Sequence, residues 1–148
     1  MIRQMQKNRQ ELKRVCEIWL KESFFAHNFV SDNPQQFWRS KKGDFLLETI
    51  DADGYVWEED GVIKGFMTMK NDHILELFVD SVYQNKGIGT ALMNLAKKTN
   101  NSLKTNVYEK NQQGIQFYEK ESFTKIEPYI EDFSGQAKFK MIWKKQEH

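Results

Sequence analysis

Apolar residues recur along the chain first at helical spacing, then at strand spacing, then at the two in alternation. Leu12, Val15, Cys16, Trp19 and Leu20 form a helical stripe behind Asn8, whose side chain can cap the first turn. Asn33-Pro34 predicts a cap followed by proline at the first helical position, opening a second segment through Phe37 and Trp38. Gly43 leaves open whether that segment runs on to Leu46 and Leu47. From Gly54 the period shortens. "YVWEED", "VIKGFMTMK" and "HILELFV" are separated by Asp60-Gly61 and Asn71-Asp72, which predicts three antiparallel strands in a meander. A helix from about Gly89 to Lys98, with Leu92, Leu95 and Ala96 inward, precedes the strand-like "LKTNVYE", making a β-α-β unit. Asn111 can cap a further helix whose apolar face carries Ile115 and either Phe117 or Tyr118, and two closing strands flank Ser134-Gly135.

Composition narrows what this pattern can be. At 148 residues with 39% hydrophobic content and no linker, repeat or low-complexity segment, a single domain over residues 1–148 is expected. The 22 basic and 21 acidic residues balance, so no nucleic-acid footprint is expected. The lone Cys16 cannot form an internal disulfide and sits on the helical stripe, where it reads as core. The opening "MIRQMQKNRQ" lacks an apolar signal core and no apolar run approaches the roughly 20 residues that span a bilayer. A soluble cytoplasmic protein without membrane partners is expected.

The candidate chemistry begins at Gly87 and Gly89. A strand passing through a Gly-rich turn into a helix gathers unpaired N–H groups at the positive end of the helix dipole, which suits an anion such as a phosphate. Gly-x-Gly alone is equally a tight turn. A Rossmann fingerprint would need glycine where Leu92 stands, and no Walker-type Gly-x4-Gly-Lys-Ser/Thr occurs.

Two segments together are more specific. "LFVDSVYQNKGIGTALMNLAKK" followed by "NVYEKNQQGIQFYEKESF" resembles the Gcn5-related N-acetyltransferase (GNAT) family, in particular its small bacterial members. The first segment is similar to the family's acyl-CoA pyrophosphate motif, here Gln84-Asn85-Lys86-Gly87-Ile88-Gly89, and the second to its Asn, small-residue, Phe-Tyr helix, here Asn111, Gly114, Phe117 and Tyr118. "AHNFV" near the N-terminus also resembles small members. Ser122 stands where the family has glycine after this helix, and serine fits a positive-φ C-cap less readily.

The resemblance implies an α/β (α+β) fold: a mixed, mostly antiparallel sheet flanked by helices, with a splay between its fourth and fifth strands. It implies acetyl-CoA as co-substrate and no metal. The main chain of Leu77, Phe78 and Val79 would meet the pantetheine arm, and the N–H groups of Gln84, Asn85, Lys86, Gly87, Ile88, Gly89 and Thr90 the pyrophosphate. Tyr118 would protonate the departing thiolate, and Asn111, beyond capping its helix, would contact the pantetheine or help order the thiolate site. Glu76, assigned to the face of Ile74 and Phe78, is the expected base for the acceptor amine, against the plainer reading of a solvated strand glutamate.

His27 falls where the family lines its acceptor side, and a packed or capping histidine is the other reading. His73 is a further titratable group. "KKGDFLLE" reads most simply as solvated surface, and Trp38 and Trp57 as core. The expected partner is a small-molecule or peptide amine, the expected state monomer or homodimer. A non-catalytic acyl-CoA sensor is the alternative, since it would keep Gln84 to Thr90 but need neither Tyr118 nor Glu76.

Overall fold

The computed structural model describes residues 1–146. Its seven strands form one sheet in the order β1-β2-β3-β4-β5-β7-β6, comprising β1 (Ile2–Gln4), β2 (Asp53–Glu59), β3 (Val62–Lys70), β4 (His73–Val79), β5 (Ser102–Tyr108), β6 (Thr124–Ile130) and β7 (Ala137–Lys144). Every neighbouring pair is antiparallel except β4 with β5. Helices α1 (Arg9–Ala26), α2 (Pro34–Ser40) and α3 (Lys42–Asp51) pack a core of Ile18, Trp19, Phe45, Val56 and Phe66 on one face of the sheet. Helices α4 (Ile88–Thr99) and α5 (Gln112–Lys120) pack Met67, Ile74, Leu92, Met93 and Leu103 on the other. The mixed sheet with helices on both faces matches the expected class.

The helix starts follow local chemistry. Asn8, Asn33 and Asn111 each accept a backbone N–H from the first turn of the helix that follows. The second helical segment divides at Lys41, and Gly43 lies inside α3 rather than ending it. Strand β1 was not foreseen. Its residues include one apolar side chain and no alternation, and it forms only by pairing Ile2 with Trp57 on distant β2.

Two irregularities shape β4. Thr68 of β3 pairs with Glu76 but Met69 pairs with Ile74, so Leu75 is an extra residue, a bulge. Because side chains alternate, one extra residue reverses the parity on either side of it. Ile74 therefore packs on the α4/α5 face with Leu77, whereas Glu76 shares the α1–α3 face with Phe78. This corrects the expectation that Ile74, Glu76 and Phe78 share a face. The second irregularity is the splay: β4 meets β5 in register only at His73 and Lys104, and Thr105 Oγ1 donates to the Ile74 carbonyl at 3.1 Å just beyond. From there the two strands part.

Strand β6 lies at the sheet's other rim, mostly exposed, with a register shift between Lys125 and Pro128.

Candidate active site

The opening between β4 and β5 widens into a cleft of about 1040 Å³ that runs from the Gln84–Thr90 loop past Tyr118 to Glu76, His27 and the β6–β7 turn. This volume fits a coenzyme-sized ligand beside a second molecule. On its β3 side, β4 is fully paired from Glu76 to Val79. Toward β5 the main chain of Leu77, Phe78 and Val79 meets no ladder partner, leaving polar groups facing the cleft.

At one end, the turn after Asp80 is held rigidly. Buried Asp80 accepts from Arg14 at 2.9 Å and Lys21 at 2.7 Å, tying α1 to the end of β4. Glu22 accepts from the Ser81 N–H at 3.0 Å and from Gln84 Nε2 at 3.3 Å, and Gln84 Nε2 also reaches the Val79 carbonyl at 3.0 Å. The Gln84 side chain thus braces the turn, and its own N–H bonds the Ser81 carbonyl. The following N–H groups, from Asn85 to Thr90, make no hydrogen bond among the described residues, and no side chain caps α4. Gly87 takes φ 82°, a left-handed value that glycine adopts without strain. A Cβ on Gly89 would approach Phe117 Cε1 at 3.2 Å. The arrangement is a ready anion cradle at a helix N-terminus.

Midway along the cleft, Asn111 Oδ1 accepts from the Gly114 N–H at 3.0 Å, and a Cβ on Gly114 would collide with the Asn111 amide at 2.5 Å. One turn on, Tyr118 is buried against Phe117 and Phe123. Burial pushes its phenol up to about 12, with the Thr105 hydroxyl acting against this and the Glu76 charge adding to it. Tyr118 therefore keeps its phenolic proton throughout the neutral range.

The far end carries the carboxylates. Glu76 makes no hydrogen bond or ion pair among the described residues, and burial, followed by the charge of Glu48, pushes it up to about 8. The buried Thr68 hydroxyl, also without a partner, lies opposite it across the β3–β4 pair. Glu131 is by contrast engaged, accepting from Tyr108, from Ser134 at 2.6 Å and from Lys138 at 3.0 Å. Phe133 of the same β6–β7 turn stacks on Phe37 of α2 with centroids 6.1 Å apart, and the Lys41 ammonium lies 4.7 Å above the Phe133 ring. The turn thus arches over this end of the cleft.

His27 ends α1 among Phe29, Trp38, Phe78 and Tyr108. Its Nε2 faces Asn111 Nδ2 at 3.2 Å, and its Nδ1 is buried without a partner. Burial, with Lys138 adding to it, lowers it to about 3, so it is neutral. Trp38 donates Nε1–H to the His27 carbonyl at 3.1 Å and is core, and Cys16 is buried, as expected. His73 sits at the root of the splay, Nε2 against Asn106 Nδ2 at 2.9 Å. Among the described residues no group of three or more His, Cys, Asp or Glu side chains could hold a metal ion, and no helix is long and apolar enough to cross a membrane.

"KKGDFLLE" is not simply a solvated run. It forms most of α3, with Phe45 in the core and Asp44 and Glu48 lining the cleft. Phe45 and Thr49, one helical turn apart, mark the inward stripe, which is the signal that would have placed the two acids beside it.

The chain matches the acetyltransferase (GNAT) domain over residues 51–125, the span holding both the splayed strands and the Gly87 loop. It belongs to the GNAT family. It is 32% identical over 148 residues to the peptidyl-lysine N-acetyltransferase YiaC of Escherichia coli K12, an alignment covering 97% of this chain and 96% of that one. The fold is similar to that of apo YjaB from Escherichia coli, with a TM-score of 0.84 at 23% identity covering 99% and 98% of the two chains. It is also similar to the PaiA N-acetyltransferase of Thermoplasma acidophilum in complex with coenzyme A, with a TM-score of 0.72 at 22% identity covering 97% and 98%. The GNAT domain described here is accordingly an N-acetyltransferase, and its neighbours include coenzyme A complexes.

Proposed function

We propose that this GNAT protein moves the acetyl group of acetyl-CoA to a primary amine, the side chain of a lysine in a polypeptide, by direct attack within a ternary complex. The observation that carries the reading is one continuous cleft with an anion cradle at one end, an unpartnered carboxylate at the other, and a buried phenol between them. The relative named as a peptidyl-lysine N-acetyltransferase, aligned over nearly the whole chain, supports lysine as acceptor.

Each step has a group to perform it. The diphosphate of acetyl-CoA rests on the N–H groups from Asn85 to Thr90, and the pantetheine amides bond those main-chain groups of Leu77 to Val79 that β3 and Gln84 leave free on the cleft side. The amine enters from the Glu76 end, and the ionised carboxylate takes a proton from its ammonium form. The neutral nitrogen attacks the thioester carbonyl carbon, a β4 N–H bonds the oxyanion, and the carbon–sulfur bond breaks as Tyr118 gives its proton to the leaving thiolate. The second proton of the now cationic nitrogen passes through water to the tyrosinate and restores it, while Glu76 returns its own proton to solvent. His27, neutral and bonded to Asn111, orients the α5 start rather than exchanging protons.

A panel of primary amines including lysine peptides, assayed with acetyl-CoA by thiol release, tests the reading. Acetyl-CoA should raise the melting temperature of the parent and not of a folded Gly87→Val/Gly89→Val double variant. Stabilisation by acetyl-CoA with no turnover of any amine would replace the enzyme by a sensor.

A further inference from the structure

We propose that Glu48 is a specificity-determining residue, which together with Glu76 forms a carboxylate pair that receives the acceptor as its ammonium ion and discriminates against nucleophiles that arrive uncharged. The inference rests on the acetyl-transfer reading and extends it to the charge state in which the acceptor is recognised.

The geometry carries it. Glu48 projects from α3 and Glu76 from β4 into the same end of the cleft, beneath the arch made by Phe133. Neither carboxylate has a hydrogen bond or ion pair among the described residues, although acids elsewhere along the cleft do: Glu22 bonds Ser81 and Gln84, and Glu131 bonds Tyr108, Ser134 and Lys138. Two unpartnered carboxyl groups at one end of a cleft disfavour each other's ionisation, and a cation between them favours the charged form of both. The groups that bear on Glu76 are Glu48 from α3, Glu131 from the β6–β7 turn, Lys138 from β7, Tyr118 from α5 and Tyr108 from β5. Lys138 is the one cation in this set; it acts on both Glu48 and Glu76 but is ion-paired to Glu131 at 3.0 Å, so one ammonium is shared among three carboxylates and neither Glu48 nor Glu76 has an ion pair of its own. Asp44, one turn before Glu48 on α3, extends the acidic approach toward solvent.

The pair also explains how a carboxylate held largely protonated near neutral pH becomes a base. An ammonium ion entering between Glu48 and Glu76 favours the charged form of both, so the proton held by Glu76 leaves to solvent as the acceptor binds. Glu76 is then free to accept the ammonium proton, which leaves the nitrogen neutral before it attacks.

Two acceptors of equal reach separate the proposal from a merely structural role. One is Nα-acetyl-lysine methylamide, charged at neutral pH, and the other is its analogue with a terminal aminooxy group, which is uncharged there. Glu48 is exposed and unbonded, so Glu48→Gln and Glu48→Lys leave the fold intact. Glu48→Gln is expected to raise KM for the lysine analogue about fivefold, the scale of a part-exposed ion pair, and Glu48→Lys more. KM for the aminooxy analogue and for acetyl-CoA should stay at the parent value in both variants. Equal changes for the two acceptors, or none for either, overturn the proposal while leaving acetyl transfer standing. If the parent acetylates neither acceptor, the acetyl-transfer reading fails, and calorimetric binding of the two analogues to the acetyl-CoA complex decides the pair: preference for the charged one, lost in Glu48→Lys, supports it, and equal affinity overturns it.

Discussion

Asn111 donates from Nδ2 to Nε2 of His27 at 3.2 Å, joining the start of α5 to the end of α1 across 84 residues of chain. The amide cannot turn over, because its carbonyl oxygen already accepts from Gly114. His27 must therefore accept at Nε2 and carry its proton on Nδ1, among aromatic rings that offer that proton no partner.

A histidine so placed resists protonation. Its value in the fold is about 3 against 6.5 when unfolded, so the unfolded chain binds more protons throughout that window. The stability contributed by neutral His27 is complete above 6.5 and is lost as pH falls toward 3. Melting curves across this window should fall less steeply for His27→Gln than for the parent, and the His27 ring resonances should not titrate between about pH 8 and about pH 5. A ring titrating near its ordinary value would refute the buried, neutral state.

Glu76 behaves in the opposite sense. Its folded value of about 8 lies above the unfolded 4.5, so its contribution is complete below 4.5 and is lost as pH rises through 8. Glu76→Gln, which cannot ionise, should melt above the parent at alkaline pH while turning over more slowly. The acid limb of the parent's kcat/KM profile should be absent from the variant. Identical limbs in the two proteins would take the base role away from Glu76.

Tyr118→Phe keeps the ring contacts with Phe117 and Phe123 and removes only the hydroxyl. Melting temperature and acetyl-CoA affinity should hold, and turnover should fall by roughly 10²-fold. An unchanged rate, with chemistry shown to limit it, would mean that the thiolate takes its proton elsewhere.

Ser122 adopts φ 73° at the end of α5, where the Phe123 N–H reaches back to the Tyr118 carbonyl at 2.9 Å. This is a left-handed C-cap filled by a residue that pays a steric cost there. Ser122→Gly should stabilise the protein by about 1 kcal/mol, raising the melting temperature by about 2–4 °C. A lower melting temperature would show that the serine hydroxyl contributes more than the backbone loses.

The parts of this molecule that were legible in the sequence are those decided locally. Asn8, Asn33 and Asn111 each cap the helix they precede, and the Gly-rich turn falls where the sequence marks it, with Gly87 but not Gly89 at a left-handed φ. What escaped depends on partners far along the chain. Strand β1 has no pattern of its own and exists because β2 offers an edge. The Leu75 bulge is a property of the β3–β4 pairing, and it moved Ile74 to the opposite face from Glu76. Glu48 was hidden in a run that reads as solvated surface, since only the placement of Phe45 in the core shows which way α3 faces.

The register shift in β6 bears on how copies of the protein meet. An outermost strand normally offers a row of free N–H and C=O groups on which a neighbouring molecule can continue the sheet. Here that row is broken by Pro128, which has no N–H to give, and flanked by Lys125 and Glu127, whose charges resist burial against another chain. Sheet extension through this rim is therefore disfavoured where the register shifts, by backbone chemistry and by charge.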